Sequence, residues 1–209
     1  MGLKQRSDLH LPRKLWHAIG VLFIVVVYQV VTWRLAIALL VALTAFSVAL
    51  DLGRRLNPRL NRLVLKTFGP LMRKNEWRGL AGTTYLFAGA LVVALIFPKP
   101  VATLSLLFLG LGDPISSYFG ILYGKDRLIG NKTLQGTLAG FICCTLIALA
   151  YFASQKLFSE RLLVVSLLSG FIAALAELVP VGRLDDNFTF PLISATALSF
   201  IFHGFGAFG

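Results

Sequence analysis

The sequence predicts an all-α fold: a polytopic membrane helical bundle of about seven transmembrane helices plus one cytoplasmic amphipathic segment. Three observations predict it. Hydrophobic residues make up 57% of the 209 positions, with mean hydropathy +0.80, too apolar for a soluble domain of this length. The apolar residues fall in runs close to the ~20 that a helix needs to cross about 30 Å of hydrocarbon. Basic residues are distributed asymmetrically about those runs. Net charge is +11 although only 14% of residues are charged, so the cations are concentrated in a few places. A high pI by itself suits a nucleic-acid binder, but the long apolar runs argue against that class. Cys143 and Cys144 are adjacent within an apolar run and offer neither a disulfide framework nor metal spacing. A single integral-membrane domain over 1–209 is expected.

The chain opens with basic residues (Lys4, Arg6, Arg13, Lys14) before its first apolar run. No A-x-A-like cleavage site follows, so this run is expected to stay as the first span. Apolar runs lie at about 15–31, 34–50, 79–97, 101–122, 136–153, 162–180 and 187–203, with Pro114 and Pro191 interrupting the fourth and seventh. With the N-terminus inside, the inner segments hold four Lys or Arg in 1–14, eight in 51–78, three in 123–135, and Arg183. That is 16 of 20, which places the N-terminus in the cytoplasm and the C-terminus on the opposite side. Residues 54–74 are the longest inner segment. Their leucines recur at helical spacing between cations, and Asn57 before Pro58 marks a helix start. This reads as an interfacial helix drawn to anionic headgroups.

The same topology puts the unusual polar residues on one face: Asp51 and Arg54, Asp113, the loop from Lys125 to Gln135, Glu177, and Asp185-Asp186-Asn187. The stretch 110–141, GLGDPISSYFGILYGKDRLIGNKTLQGTLAGF, carries the strongest signal. An acid inside an apolar run is costly in lipid and is a functional candidate by default. Pro114 should kink or break the helix at Asp113, which would otherwise serve to cap a second half-helix. Lys125, Arg127 and Lys132 among glycines offer charge and backbone amides to phosphate. Thr133 and Gly136 open the next helix, whose N-terminus favours anions. The spacing is not that of a P-loop, because five residues separate Gly124 from Gly130 and Asn131 precedes Lys132-Thr133. Magnesium is usually held on substrate phosphates through one or two carboxylates, and a pair drawn from Asp113, Glu177 and Asp186 would suffice. Asp186-Asn187 would alternatively cap the last helix.

The segment GDPISSYFGILYGKDRLIGNKTLQGT resembles the Gly-Asp-x-x-Ala-Ser…Gly-x-x-x-Gly…Lys-Ser/Thr-x-Glu-Gly pattern of the CTP-dependent lipid kinases. That family includes dolichol kinase, phytol kinase and yeast-type diacylglycerol kinase, and is related to phosphatidate cytidylyltransferase. Arg13-Lys14-x-x-His17 is similar to the family's opening motif, and DNFTFPL at 186–192 to its Asp-Asn-Leu-Thr-Ile-Pro segment. Ser116 replaces a common alanine, and Gln135 a common glutamate, so position 135 is not taken as a metal ligand.

The resemblance implies transfer of the γ-phosphate of CTP to the hydroxyl of a lipid alcohol of diacylglycerol or polyprenol type, with Mg2+ as cofactor. On that reading Asp113, Asp185, Asp186 and Lys132 are the candidate catalytic residues. Arg13, Lys14, His17, Gly112, Gly124, Lys125, Arg127, Thr133, Gly136 and Asn187 are candidates for nucleotide and phosphate binding. Asp113, Glu177 and Asp186 are candidates for the metal. A cytidylyltransferase attacking the α-phosphate needs similar groups. A transporter would place its acids near the bilayer midplane rather than at inner span ends. The reading requires Asp113 and Lys132 to meet in one pocket.

Overall fold

Backbone that crosses lipid must satisfy its own hydrogen bonds, and each of the seven apolar runs is helical. The computed structural model describes residues 10–77, 79–182 and 184–207. Within them the helices are α1 (Leu11–Val30), α2 (Trp33–Leu56), α3 (Pro58–Phe68), α4 (Gly82–Ile96), α5 (Lys99–Leu107), α6 (Asp113–Tyr123), α7 (Leu134–Gln155), α8 (Leu162–Leu178) and α9 (Asp186–Gly204). No β-strand occurs among the described residues. Lys4, Arg6, Arg78 and Arg183 lie outside them.

Five helices are long and apolar enough to cross a membrane: α1, α2, the rod Lys99–Tyr123, α7 and Ser159–Leu178. The other two apolar runs form α4, which is shorter at 15 residues, and α9, with 19. Leu104, Leu106 and Val101 of α5 are fully buried, so this helix forms the centre around which α1, α4, α7 and α9 pack. Its neighbours leave one side exposed, as expected of helices whose outer faces meet lipid rather than protein.

Of the kink or break expected at Pro114, the break does not occur. A single π-helical turn, Phe108–Gly112, joins α5 to α6 without interruption. In it the Asp113 N–H reaches back five residues to the Phe108 carbonyl, a wide turn that accommodates a proline ring otherwise clashing with the preceding turn. Pro114 has no N–H to offer Leu109, and His17 Nε2 of α1 lies 3.2 Å from that carbonyl. Asp113 is therefore a mid-rod residue rather than a cap. Pro191 is likewise carried inside α9. It withholds an N–H from the Asn187 carbonyl, which instead faces Gly89 of α4, where a Cβ would stand 2.8 Å from that oxygen. Both prolines free a carbonyl at a helix crossing.

The expected interfacial helix is α3, started by Asn57, whose side chain accepts from the Arg59 and Leu60 amides. It buries none of its residues and ends at Phe68, earlier than expected, in a 3-10 turn over Gly69–Leu71. Arg54 belongs to α2 instead.

Candidate active site

The N-terminal ends of α1, α4, α7 and α9, the C-terminal ends of α2 and α8, and α6 from Asp113 to Ile121 converge on one cavity of about 420 Å³. Segments that are distant in the chain meet there because the helices alternate in direction. The loop between α6 and α7 delivers Lys132. Gln135 organises that loop with both ends of its amide: Oε1 accepts from the Lys125 and Asp126 amides at 2.9 and 3.3 Å, and Nε2 donates to Asp126 Oδ2 at 2.7 Å. A glutamate could not make the last bond, which accounts for the departure at position 135. Gly130, at φ 57°, supplies the left-handed turn that the Lys132 amide closes onto Ile129 at 2.9 Å. Thr133 caps α7 through the Gly136 amide.

Lys132 Nζ donates to Glu177 Oε1 at 2.7 Å and lies 3.9 Å from Asp113 Oδ1. Asp113 and Lys132 therefore meet, as the sequence reading required. Burial disfavours the Lys132 charge, but Glu177 above all, then Asp113 and Asp186, outweigh it, and its pKa is raised. The ammonium is fixed as a cation at the junction of α6, α7, α8 and α9.

Across the cavity, Arg73 pairs with Asp185 and, at 3.8 Å, with Glu76. Burial opposes the Arg73 charge too, yet Asp185, Glu76, Asp113 and Asp186 raise its pKa. Burial likewise raises that of Glu76. Asp185, not Asp186-Asn187, caps α9, accepting from the Asn187 amide at 3.0 Å. The Asn187 side chain donates to the Gly82 carbonyl at 3.0 Å and ties α9 to α4. Asp186 lines the cavity with no direct side-chain hydrogen bond among the described residues. Arg13 also lines it, within electrostatic reach of Asp113, Asp185 and Glu76, as do the buried Lys14 and the half-buried His17.

Other candidates lie elsewhere. Lys125 and Arg127 are exposed on the loop and do not line the cavity. Gly112 and Gly124 are also outside it, at packing contacts with Cys144 and Thr133. Gly136 is on its wall, where a Cβ would meet Gly120 Cα at 2.9 Å. Asp113, Glu177 and Asp186 do not make a ready-made metal cage: among the described residues there is no group of three or more His, Cys, Asp or Glu fit to hold an ion. Glu177 is occupied by Lys132. Asp113 remains a fitting donor, since its side chain is 27% exposed on the cavity wall and a nucleotide-borne magnesium needs only one or two carboxylates.

Sequence reasoning missed Arg73, which it absorbed into the basic interfacial stretch 54–74, and Glu76, which lies just beyond that stretch. Their i,i+3 spacing was the available signal. The same spacing links Asp51 and Arg54, a buried pair at 2.7 Å. Arg54 also donates to the Glu76 and Gly79 carbonyls at 2.8 and 2.7 Å. Asp51 accepts from the Ala81 amide and the Thr84 hydroxyl at 2.8 and 2.6 Å. This network fixes the backbone at Glu76, Gly79 and Ala81, just before α4.

Comparison with known proteins supplies the family. A CTP-dependent diacylglycerol kinase of Schizosaccharomyces pombe is 32% identical over 154 residues, covering 69% of this chain and 71% of the relative. Its counterpart in Saccharomyces cerevisiae is 28% identical over 93% of this chain and 74% of its own length. The dolichol kinase of the same yeast is 30% identical over 90% of this chain but only 36% of its own length. No protein-family model and no solved structure matches. With the charged cavity and the sequence motifs that line it, these similarities mean that the chain belongs to the CTP-dependent lipid kinase family.

Proposed function

We propose that the cavity transfers the γ-phosphate of CTP to the hydroxyl of a membrane lipid alcohol, diacylglycerol being the first candidate acceptor from the relatives' names. The observation that carries this reading is Lys132 held between Glu177 and Asp113 in a cavity that also contains Arg13, Arg73 and Asp186. Phosphoryl transfer is catalysed mainly by positioning and by neutralising charge on the transferring group. Lys132, Arg73 and Arg13 supply that charge, and the N-termini of α7 and α9 add partial positive charge. A divalent cation, when bound to the nucleotide, neutralises the phosphate further, and Asp113 is the residue that would hold it. Asp186 takes the proton of the lipid hydroxyl as its oxygen bonds to the γ-phosphorus, and the bond from that phosphorus to the β–γ bridging oxygen breaks to release CDP. Asp185 is committed to Arg73 and to the α9 cap, which leaves Asp186 as the proton acceptor.

The Lys and Arg asymmetry supports an orientation with the N-terminus and the charged cavity on the cytoplasmic side, where CTP is available. The test is purified protein incubated with α- or γ-labelled CTP and a panel of lipid alcohols in mixed micelles. Label on lipid from the γ position alone is expected. Label from the α position would instead identify a cytidylyltransferase.

A further inference from the structure

The cavity has an apolar half that phosphate chemistry does not use. From Arg13 it continues along α1 past Trp16 to Gly20, and along α2 from Arg54 past Leu50 to Phe46. The seven helical steps from Arg13 to Gly20 span about 10 Å, so it reaches well into the depth of an inner leaflet. Val64 and Phe68 of α3 complete its wall toward the interface. Three of these lining residues are also widely exposed: Trp16 by 53%, Phe46 by 66% and Phe68 by 41%. Side chains that line a cavity and face outward together mark its opening. α1 and α2, although joined by only two residues, touch sparingly. A Cβ added at Gly20 would meet nothing within 4 Å.

Volume decides what the opening is for. About 420 Å³ lies low in the roughly 300–1,000 Å³ range of sites that enclose one small ligand. The cavity is too small to enclose a nucleotide together with a whole lipid, so the acceptor's tails have to extend outward past the apolar lining at its opening. We infer that the gap between α1 and α2 is a lateral portal through which the acceptor lipid is admitted from the bilayer, its hydroxyl advancing to Asp186 while its tails stay between Trp16, Gly20 and Phe46. The occupant is a lipid alcohol and not a soluble metabolite, because the portal is apolar and at bilayer depth while the charged end of the same cavity is set at the helix termini. This inference rests on the proposed kinase reading for the identity of the reacting group, but the portal is testable without turnover.

The experiment compares Gly20→Trp with a control, Leu138→Trp, on the half-exposed face of α7 outside the cavity. Both are assayed with a short-chain diacylglycerol and CTP in mixed micelles. Gly20→Trp should raise KM for the lipid by about tenfold or more with KM for CTP and thermal stability unchanged, the signature of lost acceptor binding; Leu138→Trp should change neither. In parallel, a diazirine-bearing diacylglycerol should label peptides from α1, α2 and α3 in the wild-type protein, and Gly20→Trp should suppress that labelling. Unchanged lipid KM in Gly20→Trp, or labelling centred on the outer faces of α7 and α8, would overturn the portal. If the wild-type protein transfers no label from CTP, the kinase reading fails separately, and the photolabelling pattern still decides the portal.

Discussion

The two ends of the bundle hold themselves together by opposite means. At one end Phe152, Phe158, Phe202 and Phe205 stack edge to face, with ring centroids 5.0–6.3 Å apart, and Phe152 and Phe202 are fully buried. At the other end Asp113, Lys132, Glu177, Arg73 and Asp186 line one cavity, with Asp185 paired to Arg73 at its edge. The aromatic end is optimised for contact. The charged end instead lines its cavity with ionic groups, an arrangement suited to binding a charged ligand rather than to stability. Substitutions should therefore separate by what they cost most, activity at the charged end and stability at the aromatic end.

The largest expected effect is at Asp113. Asp113→Asn should lower kcat by about 10³-fold or more, the loss expected when the carboxylate that would hold the nucleotide's divalent cation is neutralised, with the folded protein recovered in normal yield. Phe152→Ala should cost about 3–5 kcal/mol of stability, read as a fall in thermal midpoint in detergent, with kcat per folded molecule retained. Lys132→Met should lower kcat by about 10²–10³-fold. The pH dependence sharpens this one. The raised Lys132 pKa means that its contribution to stability is fully present below the ordinary lysine value, about 10.4, and is lost as pH rises through the higher folded value. The difference in thermal midpoint between wild type and Lys132→Met should hold steady from neutral to mildly alkaline pH, and shrink only in strong alkali. The smallest effect is expected for Lys125→Ala and Arg127→Ala, within about threefold of wild type in kcat, because both side chains are solvent-exposed outside the cavity.

How far the fold was legible follows from what leaves a pattern in one dimension. Apolar runs report helices directly, and Asn57-Pro58 reported the start of α3. Pro114 and Pro191 misled because proline states only which N–H is missing. Whether the helix breaks depends on the π turn and on Gly89 of another helix, contacts that no local spacing encodes. The convergence of Asp113 with Lys132 was legible from topology, since both fall at the same end of alternating spans. Arg73 was not. In sequence it is one cation among eight between 51 and 78, and only the 3-10 turn at Gly69–Leu71 carries it beside the cavity toward Asp185. Glu177 was read as a metal donor because carboxylates advertise that chemistry, whereas its partner in space is Lys132.

The account depends most on Asp113 and Lys132 acting on the same phosphate from one cavity. A double-mutant cycle on the single-turnover rate of γ-phosphate transfer, using Asp113→Asn, Lys132→Met and the double variant, measures that directly. Residues that act as one reacting unit are grossly non-additive, so the double variant should be scarcely slower than the worse single variant. Losses that simply multiply would show that the two side chains serve separate sites, and would contradict the account.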